Sequence, residues 1–427
     1  MLKQIAISQV ELGMFLHKLE GSWFRHPFWR ARFLLDDPSK LARLQESALD
    51  TVIIDTSKGL DLRADPRRRA ANDQPAAQPA FGTARRSRLP ARREAPNQVD
   101  LRSTAPQTMA REFGLAKAVA GESRKVVSRI FLQARLGKAI KAAQVEPVIE
   151  GVFASIQRNP HAFNGLMRCK RDNQFVYRHV LAVSALMISL ARQMKLSPAH
   201  IREAGMAGLL MDVGIGHLPV DLSAYDGDYR NVPIKVFQQH VELGHQRLSV
   251  GGGLSPNVLE ACASHHEALD GSGYPNQLKG DQIGLFPRMA AICDTYDAMV
   301  SDTAEGVGIN PASAIEQLSY MKAWFDSDVL KHFIDMIGIF PIGSVVRLRS
   351  DRLAMVVDQD PADYSHPRLR TFWSIPQARL VRSEFVELGA CYGTDEIVAL
   401  VDPEDFGITE FPALRERLFA LAGKGAA

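Results

Sequence analysis

The sequence predicts a multidomain protein: a central all-α helical bundle, a small α/β unit ahead of it, and a small β-barrel-like module after it. Three observations carry this. Helical periodicity dominates from about 107 to 335, short apolar runs separated by turns take over from 340 to 402, and a segment rich in Arg, Pro, Ala and Gln divides the bundle from the first 62 residues. With 427 residues, 46% of them hydrophobic, the chain is long enough for two or three domains and at least one large core.

Residues 1–62 read as the α/β unit. Ile5, Ile7 and Val10 alternate, Gly13 marks a turn, Phe33-Leu34-Leu35 and Val52-Ile53-Ile54 are strand-like, and a helix is expected from Pro38 to Ser47. Trp23, Phe24, Phe28 and Trp29 fit a local aromatic core better than a ligand pocket. Residues 63–106 hold much of the basic excess, including Arg67, Arg68, Arg69, Arg85, Arg86, Arg88, Arg92 and Arg93. With so few large apolar side chains this segment cannot offset chain entropy, so a disordered linker is expected. Without interleaved aromatics, a solvated, self-repelling linker is a better reading than a nucleic-acid-binding arm.

In residues 107–335 helices are expected at 109–136, 145–157, 176–194, 198–211, 234–250, 256–265 and 287–300. Ser197-Pro198 and Ser255-Pro256 mark two starts, a capping hydroxyl followed by proline in the first turn. The loop from Gly214 to Pro233 is a candidate lid or metal rim. Strands are expected around Val345-Val346, Met355-Val356-Val357, Leu380-Val381 and Ile397-Val398, and residues 403–427 supply a final helix near Pro412 to Leu421 and a tail. The apolar run Val180 to Ala191 falls short of the roughly 18 residues of a membrane span, and Met1-Leu2-Lys3-Gln4 does not open a signal peptide. Cys169, Cys262, Cys293 and Cys391 are scattered in apolar surroundings, as reduced thiols of a cytoplasmic chain would be.

The chemistry concentrates at His265-His266-Glu267, followed by Asp270-Gly271-Ser272-Gly273-Tyr274-Pro275. Adjacent histidines on a helix point about 100° apart, so both can serve one metal cluster only near a helix end or by binding different ions, and the glycines supply such an end. His179, Asp212, His240 and Asp294 are further hard or borderline ligands. Their separations fit no zinc finger; they require a bundle that turns side chains from several helices inward.

The string from His265 to Pro275, with Gly280, Ile283, Arg288 and Ala291-Ile292-Cys293-Asp294-Thr295-Tyr296-Asp297-Ala298, resembles the HD-GYP family. These are bacterial signalling domains of the HD metal-dependent phosphohydrolase group, whose active members hydrolyse cyclic di-GMP. Glu11-Leu12-Gly13-Met14-Phe15, Ser22-Trp23-Phe24 and His26-Pro27-Phe28 resemble the domain of unknown function that often precedes HD-GYP domains. The resemblance implies an HD-type bundle in which His179, Asp212, His240, His265, His266 and Asp294 hold one or two divalent ions, iron or manganese, with Asp212 as the bridging and catalytic carboxylate. Asp270, Gly271, Gly273, Tyr274, Pro275 and Arg288 are then the substrate or interaction loop. In the family this loop is associated with diguanylate-cyclase partners. Arg288 could equally meet a phosphate or a carboxylate, and Asp297 suits a supporting hydrogen bond.

The sequence also departs from the family. Met211 replaces the histidine before the bridging aspartate, Ile215 the following lysine, and Thr303 the arginine that grips phosphate; Phe175 stands where three-metal members carry glutamate. Thioether sulfur binds hard cations poorly, and a lost ligand, proton donor and substrate grip are difficult to rescue together. His217 is a conceivable substitute ligand but reads as solvent-facing. Two expectations follow: a cyclic di-GMP signalling protein with a degenerate site, its hydrolase activity reduced or lost, acting as regulator or scaffold, with its metal then dispensable; or an active metal-dependent cyclic di-GMP phosphodiesterase.

Overall fold

The computed structural model describes residues 2–20, 33–35, 38–45, 51–61, 103–169, 175–303, 307–360, 363–391, 393 and 395–422. Nearly all of the arginine-rich segment, and Trp23, Phe24, Phe28 and Trp29, lie outside these residues.

At the N-terminus, strands β1 (Leu2–Ala6), β2 (Phe15–Glu20), β3 (Phe33–Leu34) and β4 (Thr51–Asp55) form an antiparallel sheet in the order β1-β4-β2-β3, joined by helix α1 (Pro38–Gln45). The alternation expected from Ile5 and Ile7 works as a core: both side chains pack with Val10, Met14, Leu16, Leu35, Leu44, Val52 and Ile54.

The helical region runs through α2 (Met109–Arg135), α3 (Ala142–Arg158), α4 (Ala162–Met167), α5 (Phe175–Gln193), α6 (Pro198–Leu210), α7 (Ile234–Phe237), α8 (Gln239–Gly251), α9 (Pro256–Ser264), α10 (Leu285–Val300), α11 (Pro311–Tyr320) and α12 (Ser327–Ile337). Both proposed serine caps form: Ser197 Oγ accepts from the His200 amide at 3.2 Å, and Ser255 Oγ from the Val258 amide at 3.4 Å. Such caps stabilise a helix by about 1 kcal/mol each. The single helix expected over 234–250 is instead two, broken at Gln238, where the His240 ring takes the Phe237 carbonyl at 2.6 Å.

Helix α5 is the axis of the bundle, packed by α3, α6, α10 and α12. It extends beyond the apolar run seen in sequence. At 19 residues it is the one helix, among the described residues, long and apolar enough to cross a membrane, yet 83% of its most apolar window is buried within the protein.

Strands β5 (Val345–Leu348), β6 (Arg352–Asp358), β7 (Arg368–Ser374), β8 (Arg379–Leu380), β9 (Phe385–Glu387) and β10 (Ile397–Leu400) form a second antiparallel sheet in the order β10-β5-β6-β7-β8, with β9 also on β7. The barrel-like closure expected here does not form: β10 and β8 remain unjoined ends. Asn310 ties the sheet to the bundle by donating to the Val345 and Val401 carbonyls at 3.0 and 3.1 Å. Helix α13 (Phe411–Ala420) then returns to the bundle, stacking Phe419 on Phe113 with ring centroids 5.3 Å apart.

Candidate metal centre

Each side chain of the expected ligand set enters one buried space from a different element. His179 comes from the second turn of α5, Asp212 from the turn just past α6, His240 from the start of α8, His265 and His266 from the residues just after α9, and Asp294 from α10. Helix α9 ends at Ser264, so His265 and His266 escape helical divergence and their rings lie 4.2 Å apart. The turn carrying Asp212 meets α8 only because residue 214 is glycine; a Cβ there would sit 1.9 Å from the His240 carbonyl oxygen.

Asp212 stands at the middle with its two oxygens facing opposite ways. Oδ1 lies 3.2 Å from His240 Nε2 and 3.7 Å from His265 Nε2. Oδ2 lies 3.2 Å from His179 Nε2, which is also 3.0 Å from Asp294 Oδ1. Two ligand groups result, Asp212 with His240, His265 and His266, and Asp212 with His179 and Asp294, with the donor atoms of each within 4.8 Å of one another. The set is His-rich with carboxylates, as borderline divalent cations prefer.

Hydrogen bonds fix how the imidazoles present themselves. His240 Nδ1 donates to the Phe237 carbonyl, and His265 Nδ1 to the Ala261 and Cys262 carbonyls at 3.2 Å, so both rings turn Nε2 inward. Those two Nε2 atoms face each other at 3.2 Å beside the carboxylate. Two nitrogen lone pairs cannot sit so close without a proton or a cation between them, and that geometry is the strongest sign that the residues fit a metal ion. On the other side His179 Nδ1 donates to Asp297 Oδ2 at 2.8 Å, the supporting role expected of Asp297, and likewise aims Nε2 at the carboxylates.

The charges agree. Burial alone would lower His179, but neighbouring Tyr229 and the hydrogen bonds to Asp212, Asp294 and Asp297 hold its pKa well above the usual histidine value. Burial would raise Asp212, yet the three histidines keep its carboxyl well below the usual range. His265 is raised because Asp212 outweighs burial, whereas burial and the neighbouring His265 and His240 rings push His266 well down. A proton held among these groups occupies the place a cation would take.

The loop after His266 is built on carboxylates. Glu267 accepts from the Asn276 and Leu278 amides at 2.7 and 3.0 Å, and Asp270 Oδ1 accepts from Ser272 N and Oγ at 2.8 and 2.6 Å. Gly273 is required by contact: a Cβ would lie 2.4 Å from the Ala268 nitrogen. Gly271 takes a φ of +80°, and the peptide between Tyr274 and Pro275 is cis. Tyr274 stacks on His266 with centroids 4.6 Å apart, so the loop roofs the site. Arg288 resolves toward the carboxylate: it pairs with Asp326 at 2.7 Å and donates to the Ile283 and Gly280 carbonyls, stapling the loop to α12.

The departures have structural places. Met211 is fully buried in the main core. Ile215 and Phe175 share a separate apolar cluster with Leu218, Tyr229, Val232 and Phe237, so the lysine and glutamate positions have become one patch of packing. His217 is not solvent-facing: it is half-buried, donates Nε2–H to the Ala134 carbonyl at 2.9 Å, and lies outside both ligand groups. Sequence reading missed three residues. Tyr229, from the 214–233 loop, reaches within 5.8 Å of the His179 ring, and Arg178 and Arg230 both donate to the Asp302 carbonyl, at 2.6 and 3.3 Å, flanking Thr303. Tyr229 and Arg230 lie in a stretch with no periodicity, so only the proximity of Asp228-Tyr229-Arg230 as a polar-aromatic group hinted at them.

Comparison with known proteins bears on this geometry. Residues 158–329 match an HD domain model and residues 2–145 a domain of unknown function (DUF3391). The chain is 37% identical over 405 residues, 95% of its length and 93% of the relative's, to cyclic di-GMP phosphodiesterase PA4108 of Pseudomonas aeruginosa. The chain belongs to the HD-GYP family. More distant relatives include 3'3'-cGAMP-specific phosphodiesterase 1 of Vibrio cholerae serotype O1, 32% identical over 30% of this chain and 29% of that one. Among solved structures, Bd1817, an HDG"Y"P protein from Bdellovibrio bacteriovorus, aligns with a TM-score of 0.43 at 14% identity, covering 79% of this chain and 99% of that one.

Proposed function

We propose that this HD-GYP protein acts in cyclic di-GMP signalling with an unequal metal centre and with hydrolysis reduced or lost, serving as a regulator or scaffold. The observation that carries the reading is the burial of Met211 in the core beside Asp212, which leaves the His179 side with three protein ligands while the other side keeps four. On this reading Asp212, His240, His265 and His266 hold one iron or manganese ion firmly, and His179, Asp212 and Asp294 hold a second weakly. A divalent ion there lowers the pKa of bound water and offsets charge on a phosphodiester oxygen. The chain's own part is to aim three Nε2 atoms inward, to keep Asp212 ionised, and to roof the site with Tyr274. The apolar Ile215–Phe175 patch offers no proton to a leaving group, which is why turnover suffers. The loop exposes Asp270 and Pro275 at its two ends, which suits contact with a diguanylate-cyclase domain, and a cytoplasmic location follows from that role.

The alternative is an active cyclic di-GMP phosphodiesterase. It is favoured by assembly of both ligand groups around one carboxylate, and by the name of the relative that is similar over nearly the whole chain. Turnover of cyclic di-GMP by the manganese-loaded full chain separates the two. The regulator reading expects slow or undetectable hydrolysis that Met211→His raises at least about tenfold, one recovered ligand's worth. Brisk wild-type turnover abolished by His265→Ala establishes the enzyme instead.

A further inference from the structure

Helix α2 buries one face and turns the other to solvent. In its second half Val127, Ile130, Phe131 and Ala134 enter the core, while Lys125, Arg129, Leu132 and Leu136, four, three and four residues apart, run along the exposed side to the C-cap. Leu132 and Leu136 are 56% and 65% exposed. The end of α8 adjoins them. A Cβ on Gly251 would lie 2.2 Å from the Ile140 carbonyl oxygen in the loop after α2, and Arg247 Nη1 would lie 3.9 Å from a Cβ on Gly137. Val250, at the same end of α8, is 79% exposed, the most of any large apolar side chain among the described residues.

Cations surround these three side chains. Lys125, Arg129, Lys138 and Arg247 are exposed and form no ion pair among the described residues. Arg135 is exposed beside Asp221, whose carboxyl is held low by hydrogen bonds from Ser223 and then by this arginine. Glu122, one turn before Lys125, is the acid on the stripe. A helix C-terminus attracts basic side chains within its last turn, but Lys125 and Arg129 lie farther back than that. Single exposed apolar side chains are ordinary; three at one corner, inside a field of one sign, mark a contact surface.

We propose that this corner, the end of α2 with the end of α8, docks on an anionic lipid surface, its aliphatic tips entering between headgroups and its cations meeting lipid phosphate and carboxylate. Charge selects an anionic partner and disfavours a second copy of this chain, since two-fold pairing of the corner would set its cations against one another. Exposure selects lipid over an acidic protein. Side chains more than half in water stand out from the surface and offer no sheltered groove to a partner's side chains, whereas a headgroup layer closes around them. The corner also touches the frame of the metal centre: Ala134, on the inner side of α2, accepts from His217, in the 3-10 turn that follows Asp212, at 2.9 Å.

The test is co-sedimentation of the full chain with phosphatidylcholine vesicles, with and without phosphatidylserine. Binding is expected only where phosphatidylserine is present, and falls as salt rises. Lys125→Gln with Arg129→Gln weakens it about 25-fold, roughly fivefold for each basic side chain lost near an anionic surface. Leu132→Ser with Leu136→Ser and Val250→Ser weakens it at least about tenfold. That variant keeps the net charge and the arginine-rich segment, so its loss is specific to the corner. Leu380→Ser with Val398→Ser, 54% and 48% exposed on the C-terminal sheet, binds as the wild type does. Failure of the wild type to bind phosphatidylserine vesicles overturns the proposal, and polyglutamate binding that the triple serine variant then loses assigns the corner to an acidic protein. Full vesicle binding by the triple serine variant overturns it too, by leaving the affinity to charge alone. The altered side chains are exposed, so circular dichroism should be unchanged; should one variant misfold, the other decides.

Discussion

The two sides of Asp212 make an instructive contrast, because one carboxylate serves both. On the Oδ1 side, His240 and His265 are set by short local bonds to carbonyls three and four residues back, and His266 completes a four-residue group. On the Oδ2 side, His179 depends on Asp297 from a different helix, 118 residues away, and the residue that would complete the set, Met211, is packed into the core. One side is built from local geometry and the other from long-range packing with a missing part. The metal affinities of the two sides should therefore differ.

The sharpest way to break this picture is to remove the shared group. Asp212→Asn should abolish binding of both ions, measured by elemental analysis after dialysis, because it strips a charged ligand from each side at once; retention of either ion refutes the sharing. Next in size are the single-side lesions. His265→Ala should lose the tight ion, whereas His179→Ala should lose only the weak one, and identical losses in both would erase the distinction. Asp297→Asn, which keeps the shape but weakens the partner of His179, should lower affinity on that side by about 10–100-fold and leave the other side within error in a manganese titration. The smallest effect concerns His161, neutral in the fold with a pKa of about 4 against 6.5 for the free side chain. A depressed histidine contributes stability that is present above pH 6.5 and is lost as pH falls from there toward 4. Melting temperature should therefore drop across that window, and less steeply in His161→Asn.

The clustering of the candidate ligands was legible in sequence because such chemistry is written in residue type: paired histidines before a glycine loop, and aspartates beside helical periodicity. All six proposed ligands enter one space, and the serine-proline helix starts form as capping chemistry requires. Parts that depend on tertiary contact were not legible. The break at Gln238 arises from a side chain capturing a carbonyl, which no periodicity reveals. His217 looked like a loop residue facing water, but the end of α2 lies against its turn. Tyr229 and Arg230 come from a segment of short 3-10 turns whose pattern carries no period, and the sheet expected to curl shut stays open because closure depends on strand tilt and pairing rather than on apolar runs.

Calorimetric titration of the metal-stripped full chain with manganese tests the unequal centre most directly. The account predicts two sites per chain separated by at least about tenfold in affinity, the tighter one lost in His265→Ala. Two equal sites, or a tighter site that survives His265→Ala, would contradict it.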